Sequence, residues 1–284
     1  MTDPGTTRRA FVADALAAGL AGAVALGGAP LGAAEPRAAE RPAADQRSYY
    51  ELRTYELRND LDVGRARAFF GEHLVPALRR AGAGPVLALS PESGMPTPST
   101  VLVVPYASLA DVGAAADRLA ADAAYRRAAD AFERPGAPGA PGYALPYVRY
   151  DVALYRAFAG HPRLEAPPAP APAGRVYELR TYEAPSDLGL RNKVAMFNDD
   201  EIRIFRASGF APVFFGEAVA GARLPHLAYA VAFDSMEARA AAWSRFGQNP
   251  DWQRIRVKPG NTDPEAVSVI RSAFLRATDY SEVR

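Results

Sequence analysis

The chain has no cysteine. That excludes disulfides, thiolate metal sites, iron–sulfur clusters, a cysteine nucleophile and a lipid-modified N-terminal cysteine. Lysine is nearly missing: of 33 basic residues only Lys193 and Lys258 are lysines, and the rest are arginine. With so much alanine, glycine and proline, this points to a GC-rich coding bias, so an isolated arginine is weak evidence for phosphate binding. Histidine is confined to His73, His161 and His226, far apart in sequence. No His-x-x-x-His spacing exists, and Asp199-Asp200-Glu201 alone is a poor site for a hard cation, so no metal is expected. There is no Gly-x-Ser-x-Gly elbow and no phosphate loop. Pro135-Gly-Ala-Pro-Gly-Ala-Pro141 lacks the lysine and the strand–turn–helix setting, and no cofactor is expected. An excess of one charge is also lacking. Basic and acidic residues number 33 and 32, a net of +1, which leaves no electrostatic footprint for nucleic acid or an anionic membrane.

What is present begins with an address. Thr6-Thr7-Arg8-Arg9-Ala10-Phe11-Val12 opens on paired arginines, and residues 15–34 are almost all Ala, Gly, Leu and Val without a charge. A basic segment, a mildly apolar stretch and small residues at Gly32 and Ala34 make a cleavable export signal. The pattern looks like a twin-arginine signal, with Arg8 and Arg9 as its pair. Residues 1–34 are expected to be removed, and 35–46 to form a polar, disordered leader. The expected location is periplasmic or extracellular, with no membrane span left after cleavage.

The remainder is a duplication. Tyr50-Glu51-Leu52-Arg53-Thr54-Tyr55-Glu56 recurs unchanged as Tyr177-Glu178-Leu179-Arg180-Thr181-Tyr182-Glu183. The same offset then aligns Phe70 with Phe197, Arg79 with Arg206, Gly82 with Gly209, Pro85-Val86 with Pro212-Val213 and Tyr125 with Trp252. Proline-rich sequence separates the copies. The domains read as 47–158 and 175–284, joined by a stiff linker over 159–174.

Within each copy the periodicity predicts β-α-β-β-α-β. Residues 176–182 alternate, with Tyr177, Leu179 and Thr181 on one face and Glu178, Arg180 and Tyr182 on the other. Ser186-Asp187 caps and Gly209 stops a helix over about 188–208. Val213-Phe-Phe and residues 227–233 are strands. Asp234 with Glu237 resembles a capping box ahead of a helix carrying Met236, Ala240, Trp243 and Phe246, and a strand near 267–276 closes the copy. Helices on one face of an antiparallel sheet make a ferredoxin-like α+β sandwich. The bare sheet face needs cover, and the other copy can supply it within the chain; pairing between chains would serve as well.

Three segments resemble the NIPSNAP family. They are the doubled Tyr-Glu-Leu-Arg-Thr-Tyr strand, Glu201-Ile-Arg-Ile-Phe-Arg206 running to Pro212-Val-Phe-Phe-Gly-Glu217, and Ala230-Val-Ala-Phe-Asp-Ser235 followed by Asn249-Pro-Asp-Trp252-Gln253. They span about 48–280. The first copy has Asp122-Ala-Ala-Tyr125 in place of Asn-Pro-Asp-Trp. The resemblance implies the dimeric α+β barrel superfamily, here with two tandem ferredoxin-like domains forming an intrachain pseudo-dimeric barrel. It also implies an exported bacterial subgroup. It carries no catalytic motif to transfer; relatives by fold include cofactor-free monooxygenases and haem-degrading enzymes, an analogy of fold alone.

Two signals bear on function. The Glu178, Arg180 and Tyr182 face, matched by Glu51, Arg53 and Tyr55, is either an ion-pair network that fixes domain pairing or a ligand site. If Tyr177 and Leu179 pack under the helices, the polar trio points between the two sheets. The second signal is Glu201, at the centre of the apolar stripe formed by Leu190, Val194, Phe197, Ile204 and Phe205. A carboxylate there must be paired, neutral or facing a cavity. A kink after Asn198-Asp199-Asp200 could turn it to solvent, or an arginine could pair with it. Leu74 holds its place in copy one, which predicts that Glu201→Leu is tolerated and even stabilising. His226 follows Pro225 at a strand edge, His73 and His161 read as surface and linker, and Trp243 and Trp252 sit on apolar helical faces. The expected function is binding of a small apolar or aromatic molecule, with cofactor-free oxygenase or acid–base chemistry. Glu201 is the candidate catalytic group, and Arg180, Tyr182, Glu178, Trp243 and His226 are the candidate ligand contacts. The alternative is a non-catalytic protein-interaction module.

Overall fold

The structure, a computed structural model, describes residues 46–284 apart from 59, 135, 139–142 and 144, and the side chains of 60 and 61. The expected signal and leader, including Arg8 and Arg9, lie outside the described residues. Copy one runs β1 (Tyr49–Glu56), α1 (Asp60–Phe69), a π turn (Phe70–Leu74), α2 (Val75–Arg80), β2 (Leu87–Ser93), β3 (Ser99–Tyr106), α3 (Leu109–Ala121), α4 (Ala123–Glu133) and β4 (Arg149–Ala157). Copy two runs β5 (Val176–Glu183), α5 (Asp187–Met196), a π turn (Phe197–Glu201), α6 (Ile202–Ala207), β6 (Ala211–Ala220) and β7 (His226–Phe233). It ends with α7 (Met236–Gln248), α8 (Pro250–Ile255), α9 (Asp263–Ala266) and β8 (Val269–Ala277).

The strands close into one antiparallel barrel in the order β1-β3-β2-β8-β5-β7-β6-β4. This is the expected α+β class, two ferredoxin-like repeats forming an intrachain pseudo-dimeric barrel. The copies meet at two seams. At one, Leu89 pairs with Ala277 and Pro91 with Leu275; at the other, Arg156 pairs with Glu217 and Ala157 with Gly216. A Cβ at Gly216 would lie 2.7 Å from Tyr155 Cβ, so only glycine lets β4 and β6 approach there. Arg156 Nε donates to Glu217 Oε1 at 2.8 Å across the same seam.

The central strands β3 and β7 are buried at every position. They have the barrel interior on one face and helices on the other, which is why they read as continuous apolar runs rather than alternating ones. The interior is a packed core of Tyr50, Val101, Val103, Tyr177, Leu179 and Phe214 with their neighbours. This decides between the two facings left open for β1 and β5. Tyr177 and Leu179 fill the barrel, and the polar trio lies beneath the helices instead of between the sheets. The physical reason is partnership: the barrel core around these strands is built of apolar side chains, whereas α7 brings Arg239 and Trp243 onto Glu178.

Local signals act largely as expected. Ser186 Oγ accepts from Gly189 N and starts α5, and Gly209 takes a φ of 90° beyond the end of α6. The cap of α7 is Ser235, accepting from Ala238 N, rather than Asp234. Asn249 accepts from the Asp251 and Trp252 amides to start α8, and Asp122 does the same for Ala124 and Tyr125 in copy one. The Asp-Ala-Ala-Tyr variant therefore keeps the cap while losing the proline.

The proline-rich segment 159–174 is docked on copy two rather than spanning open space. Glu165 N donates to Val213 O, and His161 is fully buried. Arg206 donates to His161 Nδ1 at 3.1 Å, so the other ring nitrogen carries the proton and donates to Val213 O, also at 3.1 Å. The ring is thus neutral. Burial lowers its pKa, more strongly than Glu165 raises it, and burial likewise lowers that of His226. A histidine lowered in the folded state contributes stability that is complete above the unfolded value of about 6.5 and is lost as pH falls below it. Thermal melts should therefore show the melting temperature dropping as the pH falls below about 6.5, and His161→Gln should flatten that slope. An unchanged slope in the variant would contradict the neutral assignment.

Candidate functional site

Helix α5, its π turn and α6 form one continuous rod over β5 and β7. Glu201 is the last residue of the π turn and is 2% exposed. The turn falls where a kink is expected, but it sends Asp199 outward and Glu201 inward. Its partner is Lys193 rather than an arginine: Lys193 Nζ donates to Glu201 Oε2 at 2.8 Å, and the lysine is itself only 5% exposed. In a straight helix residues eight apart lie about 80° round from one another. The π turn absorbs one extra residue and closes most of that angle, which brings both side chains inward.

Aromatic rings enclose the pair. Lys193 Nζ lies 4.8 Å from the Phe197 ring centre, 5.4 Å from Trp252 and 5.8 Å from Tyr182. Burial raises the Glu201 pKa above the usual carboxylate range, with the Lys193 charge and hydrogen bond working against it. Desolvation wins because the carboxylate has left water almost completely. Copy one carries the same π turn without the ions. Phe70–Leu74 is its equivalent, and the places of Lys193 and Glu201 are held by Ala66 and Leu74, both buried.

The polar trio is beside this pair, on the same face of the sheet. Glu178 is fully buried and accepts from Arg180 Nη1 (2.8 Å), Arg239 Nε (2.8 Å) and Nη2 (3.0 Å), Trp243 Nε1 (2.8 Å) and Ser272 Oγ (3.2 Å). Burial alone would raise its pKa, but the bonds from Arg239, Trp243 and Arg180 outweigh it and hold the carboxyl below its usual value. Arg180 Nε also donates to Tyr182 Oη at 3.2 Å, and Tyr182 Oη shares a 2.9 Å bond with Tyr229 Oη. Tyr182 joins the two groups, since its ring also flanks Lys193. In copy one Glu51 has fewer partners, accepting from Arg53 at 2.6 Å and Tyr106 Oη at 3.0 Å.

The structure thus brings Glu201, Arg180, Tyr182, Glu178 and Trp243 into one layer between helices and sheet. His226 does not join them. It shares strand parity with Ala228 and Ala230, on the barrel side, where its Nε2 meets Tyr155 Oη at 2.9 Å. Lys193, Tyr229 and Arg239 belong to the site without having been singled out in the sequence. Lysine scarcity was the available signal for the first, because Lys193 is one of only two.

An open cleft of about 400 Å3 is lined by Trp252, Arg256, Val257, Thr262, Asp263 and Pro264, and neither Lys193 nor Glu201 reaches its wall. Trp252 is the shared wall, and the Asp263 carboxylate adds to the upward push on Glu201. That volume is within the range of small-molecule sites. Another cleft, about 360 Å3, lies on copy one beside Arg67, Ser90, Thr100 and Tyr280 and includes none of the expected site residues. Among the described residues no group of three or more His, Asp or Glu could hold a metal ion, and no helix is long and apolar enough to cross a membrane.

Fold and site together define a pseudo-dimeric α+β barrel whose second half alone carries a buried lysine–carboxylate pair. Residues 177–282, almost all of copy two, match the NIPSNAP family model. Two solved structures, each described as a "putative monooxygenase", share the architecture. That from Lactobacillus acidophilus NCFM is 9% identical, with a TM-score of 0.52 over 81% of this chain and 93% of its own. That from Fusobacterium nucleatum subsp. nucleatum is 8% identical, with a TM-score of 0.50 over 81% and 92%. At such identity the likeness is one of fold. An uncharacterized NIPSNAP-like domain protein from Burkholderia xenovorans is 20% identical over 38% of this chain and 88% of its own, with a TM-score of 0.34. No curated protein matches the chain.

Proposed function

We propose that this is an exported, tandem NIPSNAP protein that binds a small apolar or aromatic molecule beside Lys193 and Glu201 and moves a proton there. The observation that carries the reading is the asymmetry of the copies. The fold forms the same π turn over Ala66 and Leu74, so copy two holds a buried ion pair that the architecture does not need. Buried ion pairs rarely repay their desolvation in stability, which leaves chemistry as the reason to keep one. A carboxyl raised by burial is suited to take and return a proton near neutral pH. Oxygenase chemistry, which the two structural neighbours suggest, would begin with such a proton removal from an activated substrate.

The test is a screen of small aromatic compounds by thermal melting on the wild type and Glu201→Gln. A ligand at 100 times its dissociation constant adds about 2.7 kcal/mol to the wild type. The variant should fold and lose that gain. Equal gains in both would remove Glu201 from the site. Glu178 has its acceptor capacity filled by donors of its own copy, so that group serves structure and offers a ligand nothing. The ligand reading is therefore confined to the lysine–carboxylate pair and the cleft.

Export is tested separately. Replacing Arg8 and Arg9 by lysine should leave unprocessed protein in the cytoplasm, because a twin-arginine route reads that pair. Normal export and cleavage of the double variant would rule that route out.

A further inference from the structure

We infer that Lys193 is an imine-forming amine that takes an apolar or aromatic aldehyde or ketone from the Trp252 cleft, with Glu201 as its proton carrier. The inference rests on the reading of this pair as the centre of a small-molecule site, and adds the substrate class and the covalent step.

Three observations carry it. The first is the choice of base. In a chain whose cations are otherwise arginine except for the exposed Lys258, the buried position facing a buried carboxylate is a lysine. Arginine would make the stronger fixed ion pair, but it does not give up its proton in proteins; lysine can, and only then is its nitrogen a nucleophile. A structural role gives no reason for lysine here against the coding bias of the whole chain. The second is geometry. Nζ and Oε2 are 2.8 Å apart, a distance over which one proton passes directly, and burial holds the Glu201 carboxyl toward its protonated form. The third is surroundings. Phe197, Tyr182 and Trp252 enclose the nitrogen, and Trp252 also lines the cleft of about 400 Å3. Trp252, the ring that the cleft shares with the nitrogen's surroundings, offers its face to an aromatic or apolar carbonyl compound.

The step balances without an oxidant or a reductant. Lys193 passes a proton to the Glu201 carboxylate and becomes a free amine. The nitrogen lone pair adds to the carbonyl carbon, the carbonyl electron pair moves to oxygen, and a proton shift from nitrogen to oxygen gives the carbinolamine. Glu201 returns its proton to the carbinolamine hydroxyl, which leaves as water while the nitrogen lone pair closes the C=N bond. The product is a protonated imine beside a Glu201 carboxylate. Copy one, with Ala66 and Leu74, has neither group.

The experiment uses the full chain with benzaldehyde and sodium cyanoborohydride at neutral pH, followed by peptide mapping. The chain has only two lysines, so the exposed Lys258 is an internal reference. Benzyl modification at Lys193 should run on the order of tenfold or more faster than at Lys258, since a carboxylate positioned 2.8 Å from the nitrogen acts as a general base that Lys258 is not shown to have. Glu201→Gln should remove that preference and leave the Lys258 rate unchanged. Benzyl alcohol, which cannot form an imine, is the second probe and is read as a rise in melting temperature. Modification at Lys258 and the N-terminus alone, with benzyl alcohol still stabilising the chain, overturns the covalent step and leaves the binding site standing. Absence of both Lys193 modification and stabilisation overturns the step and the site together. Undiminished preference in Glu201→Gln overturns the proton-carrier role.

Discussion

Glu201→Leu alone should cost about 3–5 kcal/mol of unfolding free energy, and adding Lys193→Met should restore the wild-type value or exceed it by about 1–4 kcal/mol. The first change strands an ammonium that is 5% exposed among aromatic rings, with no carboxylate left to meet it. The second removes that stranded charge with a side chain of similar volume. Copy one is the natural control, because Ala66 and Leu74 occupy the same places under the same π turn. The sequence alone predicts a stabilising Glu201→Leu, and the Lys193 partner reverses that sign. Denaturant melts of the two single variants and the double variant measure the coupling directly. Additive single-variant losses would mean that the pair is not coupled.

A chain ending at Pro170 should yield no stable monomer. It would keep β1 to β4 and lose every strand that closes the barrel, opening β2 at one seam and β4 at the other. Tyr50, Leu87, Leu89, Val101, Val103 and Tyr155, buried in the shared interior, would face water. An uncovered apolar sheet face with two open edges associates or aggregates. Light scattering after size exclusion should show dimers or larger species. A monodisperse monomer with a cooperative melt would mean that the copies are independent domains.

Much of this architecture is legible in the sequence because the repeat runs without a gap from the first strand to Tyr125 and Trp252, and each element carries its own period. The Tyr-Glu-Leu-Arg-Thr-Tyr strand, the Ser186 cap, the Gly209 stop and the apolar runs at 213–215 and 227–233 all identify themselves locally. The facing of β5 does not. Both its faces carry large side chains, Tyr177 and Leu179 against Glu178, Arg180 and Tyr182, and either could lie inside. The choice is made by donors distant in sequence, Arg239, Trp243 and Ser272, which satisfy Glu178 only on the helix side. The π turn is equally silent, since no residue pattern marks it. Without it Lys193 falls outside the stripe centred on Glu201, so the carboxylate is visible in the sequence and its partner is hidden. His226, which follows Pro225 and reads as a histidine at a loop edge, is sent by strand parity to the barrel side and to Tyr155.

The central claim, that the lysine–carboxylate pair serves a ligand and not the fold, is tested most directly by calorimetric titration of benzyl alcohol into the wild type and into Lys193→Met/Glu201→Leu. Binding to the wild type and none to a double variant that melts at the same temperature or higher is the predicted result. A double variant that is destabilised, or one that binds benzyl alcohol as tightly as the wild type, would contradict it.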